Sequence, residues 1–491
     1  MAGGTKLYGR ILTTGLLLAL CPLTAGAQTP LPTKIVQMLR DASIPEDAMG
    51  AIAIRLSDGA VVLSHGADRS LQPASTMKLV TTLVGLETLG PTKRWQTEFR
   101  SAANIEDGVL QGDLILKGGA DGDLTWDAFY RMLQSLRYQG IREIRGNLVL
   151  DRSLFQPSRT DIGVPPFDEE PEFQYNVIPD ALLINSNLVL LDFTSDKQML
   201  AVRMTPNIDG IALDLRMKLI DGLCKDWEDG WKSPQVVNVP NGALKIQLLG
   251  TFPRNCTAKT EINVVERNDH IDRLFRTLWT YLGGTFRGST REGIAPANAP
   301  VLAVHASRTL ADTLREINKP SDNLLARLMY LTLGTVENGP GTTLEKADQL
   351  VRTFFRKQGI DDTALVFENG SGLSRSERIK PSQLAALLVA AYRSNSAPEF
   401  LSSLPVVGLD GTMRRRLRES PATGRARMKT GFLNNVAALA GYVPAADGQT
   451  YVVVAMINHK PPDRSIARDG QPILDALVDL VARSADGVIG K

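Results

Sequence analysis

At 491 residues the chain is too long for one ordinary core, so two or three domains are expected. Its composition is globular, 43% hydrophobic and 22% charged, and a net charge of +2 gives no electrostatic footing for a nucleic-acid partner. The four histidines (His65, His270, His305 and His459) fall in no HExxH or other metal-ligand spacing. Neither GxxxxGK[ST] nor a strand-linked GxGxxG occurs. No metal or cofactor is expected.

Lys6 and Arg10 precede the apolar run Ile11 to Leu20. Pro22 and the small residues Ala25, Gly26 and Ala27 follow. This is the three-part pattern of a secretory signal peptide over 1–27, cleaved after Ala27. A lipid-anchored Cys21 is rejected, because Leu20 stands where such signals need a small residue. The run is too short to span a bilayer, and no later segment is long and apolar enough. The mature protein is therefore expected in the periplasm or cell envelope. There, Cys224 and Cys256 are expected to form a disulfide.

Ala51 to Leu56 reads as a strand, Ser57-Asp58-Gly59 as a turn and Ala60 to Leu63 as the return strand. Pro73-Ala74-Ser75 leads into a helical pattern through Leu79, Val80, Leu83, Val84 and Leu86, which ends at Leu89-Gly90. Residues 91–299 change character. Short strands and turns dominate, as in 109–119 and 144–151, and the best helices are Trp126 to Tyr138 and His270 to Tyr281. This stretch reads as a β-rich insertion of two subdomains, with their boundary near 155–260. The short run Arg414-Arg415-Arg416 reads as a solvated helix face. Ala437 to Val443 and Tyr451 to Ile457 read as strands around an Asp447-Gly448 turn. A closing helix is expected from about Pro472 to Ala485. Its apolar residues Ile473, Leu474, Leu477, Leu480 and Val481 share one face, which suits packing on a sheet better than a membrane surface. Segments 28–90 and 300–491 thus supply one antiparallel sheet flanked by helices, an α/β (α+β) domain.

Three motifs carry the chemistry. Ser75-x-x-Lys78 opens a helix, Ser321-Asp322-Asn323 precedes another, and Lys429-Thr430-Gly431 precedes the C-terminal strand pair. Each alone reads equally as a cap or a strand start; all three in this order point to a site. A serine at a helix N-terminus meets free N–H groups and the positive end of the dipole. Lys78 lies on the same helix face and serves as base if burial and nearby positive charge, for which Lys429 is the candidate, lower its pKa. The N–H groups of Ser75 and Phe432 would form an oxyanion hole. Ser321 would pass a proton to the leaving amine, Asn323 would hold the substrate amide and Lys78, and Lys429 and Thr430 would bind a substrate carboxylate.

The trio resembles penicillin-binding proteins and class A β-lactamases. More specifically, the chain resembles the class C low-molecular-mass, type-4 D-alanyl-D-alanine carboxypeptidase/endopeptidases. Further shared segments are Gly112-Asp113-Leu114, 146–151, 368–375, 404–412 and 440–443. More than two hundred positions separate Ser75 from Ser321, as in that family and unlike class A β-lactamases. The Glu-x-x-Leu-Asn motif of class A β-lactamases is missing. The resemblance implies a penicillin-binding/β-lactamase-like transpeptidase domain interrupted by two β-rich domains. It implies cleavage of peptidoglycan stem peptides and crosslinks, with β-lactams acylating Ser75. It also implies roles for Ser371, Arg375 and Asp151 around the substrate side chain, Asp151 contacting the amino group of the diamino acid. Phe432 departs from the family, which often has Thr there. The alternatives are a β-lactamase and a catalytically silent peptidoglycan-binding protein; the intact motifs argue against the second. The sequence leaves open whether the chain forms a homo-oligomer.

Overall fold

The computed structural model describes residues 29–461 and 465–485. The expected signal peptide lies outside the described residues. Helix α1 (Thr33–Asp41) is followed by strands β1 (Met49–Arg55) and β2 (Val61–His65), then α2 (Lys78–Leu89). Much later come α3 (Asn323–Gly334), α4 (Pro381–Arg393), strands β3 (Arg427–Leu433), β4 (Val436–Pro444) and β5 (Thr450–Asn458), and α5 (Ala467–Arg483). The strands form one antiparallel sheet in the order β3-β4-β5-β1-β2. The two ends of the chain are thereby joined along the β1–β5 register, Met49 facing Ile457 and Arg55 facing Tyr451.

Both faces of this sheet are buried, which is why β4 and β5 read as nearly unbroken apolar runs. Alternate residues serve different cores. Ala438, Ala440, Val452, Val454 and Met456 pack with α2, α3 and α4. Ala437, Leu439, Val453, Ala455 and Ile457 pack with α1 and α5. Ile473, Leu474, Leu477 and Val481 of α5 lie in that second core. The amphipathic face of the closing helix therefore covers the sheet.

The stretch between α2 and α3 has its own apolar core, from Phe99 to Ala303. Its sheets include one in which 96–100 pairs with both 114–117 and 301–306. Strand Val301–Ala306 thus hydrogen-bonds to the insertion, although the sequence reading assigns 300 onward to the peptidase segment. Cys224 and Cys256, both in the insertion, are joined as a disulfide. One insertion segment returns to the main core, where Val177, Ala181, Leu183 and Leu188 are buried with α2 and α3. The arginine run is not a helix face. Arg414 and Arg415 are exposed, whereas Arg416 is half-buried, pairs with Asp475 of α5 (2.7 Å) and lies over the Phe432 ring.

Candidate active site

Ser75 sits in a 3-10 turn, Ala74–Met77, that leads directly into α2. Within 71–86 it is the one residue not fully buried. Its N–H has no acceptor among the described residues. Edge strand β3 runs alongside. A Cβ on Gly431 would lie 2.6 Å from Pro73 O and 3.0 Å from Ser75 N, so only glycine lets the strand approach this closely.

Lys78, on the first turn of α2, has no exposed surface. Its Nζ lies 3.0 Å from Ser75 Oγ, donates to Asn323 Oδ1 at 2.6 Å and donates to the carbonyl of Ser371. Burial lowers its pKa to about 7, with Asp322 and Glu377 opposing the shift and Arg327 adding to it. Arg327, one helical turn beyond Asn323, is a positive neighbour that the sequence did not suggest, and Lys429, the expected one, shares a charge interaction with Lys78. Lys429 is itself buried, and desolvation together with Lys78 holds its pKa well below the ordinary value.

Ser321 adopts a left-handed backbone, φ 70°, which is uncommon for a residue with a side chain. Its Oγ accepts from Lys429 Nζ at 2.9 Å. Asp322, not Ser321, caps α3 by accepting from Leu325 N. Thr430 Oγ1 donates to Thr412 Oγ1 at 2.8 Å. Asn323 Nδ2 donates to Tyr175 O, so the insertion reaches the site. Sequence reasoning gives no sign of Tyr175, whose contribution is a backbone carbonyl.

The three motifs therefore meet, while the outlying candidates divide. Ser371 contributes its carbonyl; its hydroxyl turns inward to Asn369 Oδ1 at 2.7 Å. Arg375 stacks on the Phe167 ring, 5.0 Å to its centroid, and lines a cavity of about 980 Å³ with Phe167, Asn176, Arg267 and Arg327. Asp151 ends the strand Leu148–Asp151 of the insertion. It is 1% exposed, and its two oxygens accept from Ser153 N and Ala295 N.

A family model for D-Ala-D-Ala carboxypeptidase 3 (S13) matches residues 31–480. The chain belongs to the S13 family. A curated relative, a D-alanyl-D-alanine carboxypeptidase of Actinomadura sp., is 28% identical over 460 residues, 90% of this chain and 84% of its own. Two crystal structures of penicillin binding protein 4 from Haemophilus influenzae are similar. One has TM-score 0.76 at 23% identity, with 92% of this chain and 99% of that one covered. The other, complexed with a β-lactam, has TM-score 0.73 at 22% identity, with 92% and 100% covered. These likenesses carry the fold, and with the family match they bear out the resemblance read from the motifs. As an S13 member the protein is a serine D-Ala-D-Ala carboxypeptidase, a hydrolase. No helix among its described residues is long and apolar enough to cross a membrane.

Proposed function

We propose that Ser75 is the nucleophile and Lys78 its general base, acting on peptidoglycan stem peptides and also on their crosslinks, in the periplasm behind a leader spanning 1–27. The observation that carries this reading is the Lys78 Nζ to Ser75 Oγ distance of 3.0 Å, on a lysine whose burial brings its pKa to about 7. A neutral amine at that distance accepts the Ser75 proton as Oγ bonds to the penultimate D-Ala carbonyl carbon. The charge that develops on the carbonyl oxygen is met by the N–H groups of Ser75 and Phe432. As the C–N bond breaks, Ser321, held by Lys429, relays a proton to the leaving amine. Water then hydrolyses the acyl-enzyme.

Lys429 and Thr430 hold the terminal carboxylate, and Asn323 holds both Lys78 and the substrate amide. In a crosslink the leaving amine is the side-chain amine of a neighbouring stem, which asks for the same proton transfer. The cavity beside Arg375 receives the stem-peptide side chain. Asp168, adjacent in sequence to the Phe167 platform, is a further candidate beside Asp151 as the carboxylate for a cationic end; it accepts from Tyr175 OH and Asn176 Nδ2. β-Lactams acylate Ser75 by the same chemistry and stay bound.

The test is covalent labelling by a fluorescent penicillin, followed by digestion of crosslinked and uncrosslinked muropeptides. Ser75→Ala is expected to abolish the label and both cleavages. Label retained on Ser75→Ala would refute the nucleophile assignment. Cleavage of uncrosslinked substrate alone would remove the crosslink activity.

A further inference from the structure

The geometry points to Glu377 as a positioning residue for the reaction: its carboxylate shapes the 368–376 loop so that the Ser371 carbonyl holds Lys78 Nζ against Ser75. Glu377 is 1% exposed. One carboxylate oxygen accepts three consecutive backbone N–H groups, from Glu368 at 3.1 Å, Asn369 at 2.9 Å and Gly370 at 2.9 Å. The other oxygen is buried without a partner among the described residues. Such a group is costly to bury unless it fixes something.

What it fixes is a turn that leads straight to the nucleophile. Asn369 Oδ1 accepts from Ser371 N at 2.9 Å, and Gly370 O accepts from Thr81 Oγ1 of α2 at 2.6 Å. The next carbonyl, of Ser371, accepts from Lys78 Nζ. Gly372 has φ +82°, and a Cβ there would fall 1.9 Å from Ala74 O, beside Ser75. The loop is thus seated on the nucleophile turn with no room to slide. Three N–H groups gathered on one oxygen hold its first half in that shape. Glu377 makes no hydrogen bond to Ser75 or Lys78; it acts on the lysine through Ser371, and also through its charge, which raises the Lys78 pKa.

Lys78 also has the charges of Asp322, Arg327, Lys429 and Glu377 itself around it, so loss of the Ser371 carbonyl would leave its ammonium in a changed field. The proposal rests on the Ser75–Lys78 reading above. That reading has its own test in Ser75→Ala, whose failure is scored by the label alone, without Glu377.

The experiment measures acylation of the full chain by labelled penicillin across pH, with thermal melting as a fold control. Glu377→Ala is expected to lower the second-order acylation rate by about 100-fold, because the base is no longer held, and to move the acidic limb of the profile about one pH unit lower, because the ammonium loses both the Ser371 carbonyl and the Glu377 charge. Glu377→Gln keeps an oxygen for the three N–H groups and is expected to stay within about 10-fold of the unsubstituted enzyme. Should Glu377→Ala not fold, Glu377→Asp takes its place: the same charge on a shorter stem, with an expected loss of at least about 10-fold. A folded Glu377→Ala or Glu377→Asp acylating at the unsubstituted rate would overturn the proposal. So would an unmoved acidic limb in folded Glu377→Ala, or a Glu377→Gln variant as slow as Glu377→Ala.

Discussion

Lys78 Nζ lies 3.0 Å from Ser75 Oγ and donates to Asn323 Oδ1 at 2.6 Å, so one buried amine joins two motifs far apart in sequence. Its direct consequence is a pH profile. The base is competent only when neutral, and its pKa is lowered to about 7 by burial. Acylation should rise with pH through about 7 and level off above it. Rapid-mixing measurements with a chromogenic β-lactam from pH 5 to 10 would show this. An acidic limb near the ordinary lysine value would refute the lowered pKa. Lys78→Met should reduce acylation by roughly a thousandfold or more.

Gly431 is held to glycine by contact. A methyl group there meets Pro73 O at 2.6 Å and Ser75 N at 3.0 Å, both backbone atoms that cannot swing aside. Gly431→Ala should push β3 away from the nucleophile, slowing acylation about 100-fold and costing about 1–3 kcal/mol of stability. Acylation kinetics paired with denaturant melts would check both, and unchanged acylation would show that β3 does not form part of the oxyanion site.

His270 is fully buried, and neither ring nitrogen has a hydrogen-bond partner among the described residues. Desolvation lowers its pKa from 6.5 to about 4. The unfolded chain therefore binds the extra proton first as pH falls. The stability tied to neutral His270 is complete above about pH 6.5 and is lost progressively toward pH 4, by about 3 kcal/mol. His270→Leu should flatten that part of the curve. Equal acid sensitivity in both proteins, followed by melting temperature against pH, would rule this out.

The disulfide between Cys224 and Cys256 closes a loop with a sequence separation of 32, within the insertion. Removing it with Cys224→Ser/Cys256→Ser should cost about 3–4 kcal/mol, the loop-closure entropy regained by the unfolded chain. Neither cysteine is among the residues around Ser75, so penicillin acylation of the folded variant should keep its rate. A fall in acylation with intact folding would indicate coupling between the insertion and the site.

Much of the catalytic group was legible because its parts are local. SxxK fixes a one-turn spacing where the 3-10 turn of Ser75 enters α2, and the residues flanking Ser321 and Lys429 mark a helix start and a strand. Apolar runs gave β4 and β5 within a residue or two at each end. What the sequence could not show was the partner of each side chain. Asp151 stands buried at a strand end, where the Ser153 and Ala295 amides each donate to one of its oxygens. The Ser371 hydroxyl is held within its own turn, donating to Asn369 Oδ1 and accepting from Leu373 N. Of the arginine run, Arg414 and Arg415 are exposed as expected, while Arg416 pairs with Asp475 of α5.

Taken alone, the sequence determined the three motifs around Ser75, Ser321 and Lys429, the alternating strands and the amphipathic closing helix, because each depends on spacing along a few turns or residues of one element. Only the tertiary structure decided the charge neighbours of Lys78. Which buried group faces which depends on how α2, α3 and the 368–377 loop pack. It brought Arg327 and Glu377 into the electrostatics of Lys78 and put Tyr175 of the insertion on Asn323. It also brought the Ser153 and Ala295 amides to Asp151, for a carboxylate's partners are whichever donors folding brings to it.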